Sequence, residues 1–264
     1  MKKVFSGVYV VLILSIIYLP IFLLVVFSFT NSKIIGDWDG FSWKLYEQLF
    51  TTKKLRDMIF GTLMIALVSG LIATILGTLG AIGIFYNKGW FGKTVNGASQ
   101  INVINAEIVT AISLALTFAL IGINRSFASL IIGHVALCTP FVVLSVIPKL
   151  KQMDGNLYEA ALDLGATPTK ALWQVVVPEI MPGIFSGFML AITLSLDDYM
   201  ITQYTRPYTF DTISTYVYSA VKNQKNSALP ALRALTTVIV LIMIIVVVVM
   251  NINASKKARQ NGRR

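Results

Sequence analysis

Six apolar stretches, each long enough for the roughly 20 helical residues that cross the hydrocarbon core of a bilayer, alternate along this chain with short polar segments. They fall at 7–29, 60–85, 103–122, 127–147, 183–205 and 234–252. Only a short turn around Gly122 to Arg125 separates the third from the fourth, which predicts a helical hairpin. Lys2 and Lys3 ahead of the first stretch are reminiscent of a signal peptide. The apolar run continues to Phe29, however, past the 7 to 15 residues of a cleavable segment, and no small-residue cleavage site follows, so a retained span is expected. Between the first two stretches, Trp43, Leu45, Tyr46, Leu49 and Phe50 recur at a helical period within 41–58, predicting a helix on the membrane surface or against a partner.

One polar segment is unlike the others. Residues 153–183 carry helix start and stop signals of their own between two strongly apolar stretches. Asn156 is a good N-cap, and Glu159 stands where an N3 carboxylate reaches back to the free amides, so a helix is expected from Leu157. Gly165 supplies the left-handed position that closes it. Thr167 and Pro168 repeat the pattern, cap then N1 proline, and start a second helix through Lys170, Leu172, Trp173 and Val176 that ends before Pro178. Leu157, Ala160, Ala161 and Leu164 share one face of the first helix, while Glu159 and Asp163 lie one turn apart on a more polar side.

Composition agrees with the apolar pattern. The 264 residues are 56% hydrophobic and 13% charged, with a mean hydropathy of +0.74, against roughly 25% charged in soluble domains. The expected fold is one all-α integral membrane domain over 1–264 with six transmembrane helices. With both termini cytoplasmic, 12 of the 22 Lys and Arg fall inside: Lys2, Lys3, Lys88, Lys93, Lys149, Lys151, Lys170, Lys256, Lys257, Arg259, Arg263 and Arg264. The margin is narrow, and the basic tail directly after the last span is the best support for this orientation. That tail, suited to an anionic inner leaflet, also accounts for part of the net charge of +10 without nucleic acid.

Few side chains offer chemistry. Gly89 to Thr94, GWFGKT, has two residues between its glycines where a phosphate-binding loop needs four, so the chain has no visible nucleotide site and any ATP chemistry belongs to a partner. Cys138 is alone, which rules out an intramolecular disulfide. His134, one helical turn away, completes at most two of the ligands a zinc site needs, and helix packing or a hydrogen bond to a neighbouring span is its expected role. Gly183, Gly187, Ala191 and Ser195 repeat every fourth residue and predict a face of close helix approach. Asp197 and Asp198 continue the same span; charges there cost at least about 2.5 kcal/mol and call for a partner, a cavity or a water path. At 100° per residue Asp198 projects along the small-residue side and Asp197 away from it. Ion pairing or a hydrogen bond between helices is one reading of the pair, and a cation-attracting group on a translocation path is the other. Tyr199 and Tyr204 add faces that can meet an ammonium group. Glu107 is a third acidic group near the start of the third span. The sequon Asn124-Arg125-Ser126 lies in a turn too short to present a glycan.

The run Glu159-Ala160-Ala161-Leu162-Asp163-Leu164-Gly165-Ala166, with Pro178 downstream, resembles the EAA loop of permease subunits from binding-protein-dependent ABC importers. The likeness extends over nearly the whole chain. SLDDYMIT at 195–202, EIVTAISL at 107–114 and CTPFVVL at 138–144 are similar to the spermidine/putrescine permeases, the second of their two types. One departure is Ala106, where such permeases usually place a proline. The resemblance implies a non-catalytic subunit in a bacterial plasma membrane, alternating access with no cofactor of its own. ATP and magnesium would sit on a partner ATPase. Asn156, Glu159, Ala160, Ala161, Asp163, Gly165 and Ala166 would form the coupling helix that docks on that ATPase. Asp197, Asp198, Tyr199 and Ser195 would belong to the substrate path, and Gly183, Gly187 and Ala191 to helix packing. The implied partners are a second homologous permease, two ATPase subunits, an extracytoplasmic polyamine-binding protein and membrane lipid. Iron or thiamine importers of the same superfamily could also use the aspartates. A secondary transporter would not need the capped insert, and an intramembrane aspartyl protease would need two aspartates converging from different helices.

Overall fold

The computed structural model describes residues 2–32, 37–87, 89–222, 230–241, 244 and 248. Among these the chain is helical, without strands: α1 Lys2–Phe27, α2 Lys44–Thr51, α3 Lys53–Tyr86, α4 Trp90–Ile104, α5 Glu107–Leu120 and α6 Phe127–Gln152. There follow α7 Asn156–Asp163, α8 Pro168–Ala171, a π-helical turn Leu172–Val176, α9 Val177–Asp197, α10 Met200–Thr205, α11 Ile213–Lys222 and α12 Pro230–Leu241. Four of the described helices are long and apolar enough to cross a membrane, and a bent pair would make a fifth crossing. Of the expected sixth span, 234–252, the part to Leu241 is helical and apolar, and the remainder apart from Ile244 and Val248 lies outside the described residues, as do Lys88 and the basic tail.

The chain forms two compact units, one of residues 58–216 and one of residues 1–57 with 217–264. In the latter, α1 ends at a knot of aromatic side chains. Phe29 stacks on Phe41 with ring centroids 5.5 Å apart and meets Trp43 edge-on at 5.2 Å. Leu45 and Leu49 are the buried side of α2. The helix expected across 41–58 is in fact two: Thr52 is extended, and Lys53 begins α3, so the second span starts seven residues before the apolar stretch at 60 does. Arg233 of α12 donates to the Ser32 carbonyl at 3.1 Å.

The core of the 58–216 unit is α6 packed with α3 and α9, which also touch each other. Lipid is as apolar as leucine, so close dispersion contact rather than burial from water holds membrane helices together, and small residues permit it. A methyl group on Gly187 would lie 3.1 Å from Val142 Cγ1, and one on Gly183 3.2 Å from the Ser145 carbonyl. Ala191 is fully buried, and the Cys138 thiol donates to its carbonyl at 3.3 Å. The small-residue face expected from the sequence is therefore the seam with α6. Several hydroxyls inside the helices are satisfied by carbonyls one turn back, as in Thr74 to Gly70 at 2.6 Å and Thr139 to Val135 at 2.7 Å.

Two expected spans are broken. The third, read as 103–122, turns through 112° at Asn105 and Ala106, both in extended conformation. The stretch before it, read as a loop, is α4, and α5 has 14 residues, about 21 Å, short of a bilayer's roughly 30 Å. No proline makes this break, and the Asn102 side-chain amide ties α4 to α5 and to α6 across it. Asn102 Nδ2 donates to the Ala136 carbonyl of α6 at 2.9 Å, and its Oδ1 accepts from Thr110 Oγ1 at 3.2 Å. The fifth span, read as a single helix over 183–205, stops at Asp197 and resumes at Met200. The expected hairpin of α5 and α6 is present, turned by Gly122 at φ +74° and started again by a capping box of Ser126 and Ser129.

Candidate functional site

The α9–α10 break is built around one buried carboxylate. Asp198 leaves the helix with ψ at 125° and caps the next one: Oδ1 accepts from the Ile201 amide at 3.1 Å, and Oδ2 accepts from the Thr202 amide and hydroxyl, both at 2.8 Å. Its carbonyl accepts from Ser214 Oγ at 2.6 Å. The residue is 5% exposed. Behind it, His134 of α6 places Nε2 at 2.9 Å from Thr202 Oγ1 and 3.7 Å from Asp198 Oδ2, with Nδ1 at 2.7 Å from Ser195 Oγ. Ser195 in turn lies 3.1 Å from Ser69 Oγ of α3. A polar chain thus runs through the seam from α3 to α10.

Asp197 is exposed and Asp198 buried, the opposition expected from their angular positions on one helix. Tyr199 is half-buried in the break, and Ser195 is inside the seam, hydrogen-bonded on two sides. Glu107, exposed at the start of α5, is within electrostatic range of both Asp198 and Asp197, so the two helix breaks bring three carboxylates into one neighbourhood. The sequence reading of His134 as a helix-bridging group holds, while its three polar neighbours, Ser195, Thr202 and Asp198, are not visible from the sequence. They come from distant positions, Ser195 61 and Thr202 68 residues away.

The polar insert forms the helix, turn and helix expected, with three differences. The first helix includes Asn156, its N-cap position is Gly155, and Asp154 just before it supplies the capping bonds: Oδ1 of Asp154 accepts from the Asn156 amide at 3.0 Å, and its carbonyl accepts from Leu157 at 3.2 Å. An Asx turn two residues earlier therefore does the capping. At the other end Gly165 is left-handed at φ +84°, with Gly165 donating to Leu162 at 2.9 Å and Ala166 to Ala161 at 3.1 Å, the paired bonds of a Schellman closure. Thr167 caps the next helix by accepting from Lys170 at 3.4 Å. That helix does not end before Pro178. The π turn moves the Val177 amide onto the Leu172 carbonyl, which relieves the clash a proline makes with the carbonyl four residues back, and the helix continues to Asp197. Residues Pro168–Asp197 are one rod of 30 residues.

Nothing on α7 is fully buried. Tyr158 rests its ring 5.0 Å from that of Tyr86, whereas Leu157 is 40% and Leu164 89% exposed. Glu159, Ala160 and Asp163 are exposed, with Ala161 and Ala166 half-buried. The apolar face read from the sequence therefore has no cover within this part of the chain.

Residues 123–256 match the family described as binding-protein-dependent transport system inner membrane component. Among relatives, the spermidine/putrescine transport system permease protein PotC of Escherichia coli is 33% identical over 89% of this chain and 88% of its own length. The putrescine transport system permease protein PotI of the same organism is 32% identical over 84% and 81%. In structure the chain is similar to a bacterial ABC transporter that imports the acidic polysaccharide alginate, with a TM-score of 0.71 over 94% of each chain at 17% identity. The same kind of transporter in complex with an alginate pentasaccharide-bound periplasmic protein matches at 0.67 over 92% of this chain and 93% of the other, at 19% identity.

Proposed function

This chain belongs to the family of binding-protein-dependent transport system inner membrane components, and on that footing we propose that it is the permease subunit of an ATP-driven polyamine importer. It is a multi-pass membrane protein of transport rather than of covalent catalysis. In this reading it has six spans with both termini cytoplasmic. It pairs with a second permease, two ATPase subunits and an extracytoplasmic polyamine-binding protein, and ATP and magnesium sit on the ATPases.

The observation that supports the reading most directly is the continuity of Pro168–Asp197. A rod of 30 residues, about 45 Å long, joins the exposed helix turn at one end to an exposed carboxylate at the other. The uncovered face of Leu157, Ala160 and Leu164 meets a groove on the ATPase. Its movement, passed through the closed turn at Gly165 and the capped start at Thr167, displaces the α9–α10 break. The route then opens outward to receive substrate, and hydrolysis resets it. A polyamine is an extended polycation, and carboxylates along the route lower the cost of stripping its water. Asp197 and Glu107 face that route with Tyr199 beside them, while Asp198 and Ser195 form the layer behind.

Reconstituted with its partner subunits, the complex is expected to take up labelled spermidine in an ATP-dependent manner, with unlabelled putrescine competing. Competition by thiamine or ferric ion, with none by putrescine, would replace the polyamine by another cation. An Asp197→Asn complex should assemble normally and transport at least tenfold more slowly.

A further inference from the structure

His134 is inside the seam and 1% exposed. We propose that it is a positioning residue for the transport path: it holds the Asp198 carboxylate in place as the cap of α10, and so fixes the direction of the short helix that follows the break. The transport consequence rests on the polyamine-importer reading; the geometry does not.

Proton counting supports the assignment. The single hydroxyl proton of Thr202 is directed to Asp198 Oδ2 at 2.8 Å, which leaves Thr202 Oγ1 an acceptor towards His134. Nε2 of His134, 2.9 Å away, is then the N–H donor, and Nδ1 is matched with Ser195 Oγ at 2.7 Å. Both ring nitrogens are engaged, each with a different helix. One ring on α6 thus anchors the last turn of α9 through Ser195 and the first turn of α10 through Thr202. It also stands 3.7 Å from the carboxylate that caps α10.

The direction of α10 matters because the helix is only six residues long and carries Tyr204 and Thr205. These two line a cavity of about 470 Å³, together with Phe118 of α5, Arg125, Ser129 of α6 and Tyr208. Without the His134 donor, Thr202 Oγ1 is free to turn to its other acceptor, the Asp198 carbonyl at 3.4 Å. The carboxylate would then keep only the two amides, and a helix of six residues has little else to resist tilting. A residue that merely filled space at this position would be replaceable by any side chain of similar volume. A positioning residue needs a donor and an acceptor in the same places.

The test uses the whole complex in lipid nanodiscs and proteoliposomes, and compares His134→Leu, Thr202→Val and His134→Gln. Hydrogen exchange at the Ile201 and Thr202 amides should accelerate at least tenfold in His134→Leu and in Thr202→Val. ATP-dependent spermidine uptake per assembled complex should fall by a similar factor in both, and the double variant should be no worse than the poorer single one. His134→Gln, whose amide offers a donor to Thr202 and an acceptor to Ser195, should recover most of the loss. Wild-type exchange and uptake in His134→Leu, or losses that multiply in the double variant, would overturn the proposal. If His134→Leu does not assemble, Thr202→Val, which keeps the branched shape, decides alone. A wild-type complex that takes up no spermidine would sink the substrate reading, and amide exchange would then decide the role of His134 by itself.

Discussion

The turn at 163–168 and the break at 197–200 both interrupt a helix with polar groups, yet they are closed by different means. At the turn, the bonds that replace the helix ladder are local: Gly165 to Leu162, Ala166 to Ala161, and Lys170 to Thr167. The surface above it is left uncovered, with Leu164 89% exposed. At the break, the freed amides of Ile201 and Thr202 are capped by Asp198 itself, but the groups that hold this cap in place come from three other parts of the chain, His134, Ser69 and Ser214, and Asp198 is buried while Asp197 is exposed. The contrast teaches how to tell a joint made to meet another molecule from a joint made to keep a shape. The first completes itself locally and presents apolar area. The second spends its partners internally and presents a single charge.

The largest expected effect would break the local joint. Gly165→Pro demands φ near −65° where the backbone is at +84°, and it removes the N–H that donates to Leu162. Together these cost at least about 3 kcal/mol locally. Transport should fall by about a hundredfold or more, with ATPase docking weakened in co-purification. Normal coupling in this variant would mean that the turn is not the transmission point.

Next in size is the paired comparison at the break. Asp198→Asn keeps the shape but turns one acceptor into a donor facing donors. With charge-assisted bonds worth about 1.5–3 kcal/mol, the thermal midpoint of the purified chain should drop measurably. Asp197→Asn should leave that midpoint unchanged while reducing uptake. Equal midpoints for the two variants would erase the distinction between a structural and a path-facing carboxylate. Smaller again is Leu164→Glu, which places a charge on the uncovered face. ATPase affinity should weaken by roughly tenfold, about 1.4 kcal/mol, with no change in the chain's own thermal midpoint.

What could be read in advance follows the same division. The caps at Gly165 and Thr167 were legible because their signals and their effects lie within four residues of each other. The packing face of Gly183, Gly187 and Ala191 was legible because helical periodicity carries it. The cap expected at Asn156 is supplied instead by Asp154, ahead of the N-cap position at Gly155, because two good capping residues compete within three positions. Neither break was legible from apolar length, because composition hardly changes across Asn105–Ala106 or across Asp198–Tyr199. Each break is held by side-chain bonds that reach another helix: Asn102 to the Ala136 carbonyl, and Asp198 through the Thr202 hydroxyl to His134. Hydropathy measures transfer to lipid and is blind to such pairing. The spacing Asp198 to Thr202 did hold a local clue, an aspartate three and four residues ahead of the amides it caps.

The smallest expected effect probes the start of the rod. Thr167 Oγ1 accepts from the Lys170 amide at 3.4 Å, a long bond on an exposed turn, so Thr167→Ala should cost no more than about 1 kcal/mol. Pro168 at the first helical position still presets its φ, and the π turn still relieves Pro178, so the rod itself persists. Exchange of the Lys170 amide should accelerate by up to about fivefold, while Ile201 and Thr202 at the far end stay protected. Transport should then fall only slightly, because a rod carries displacement from its closed turn whether or not its first amide is capped. A loss as large as that of Gly165→Pro would show that the signal enters at Thr167 rather than at Gly165, and would move the joint two residues along the chain.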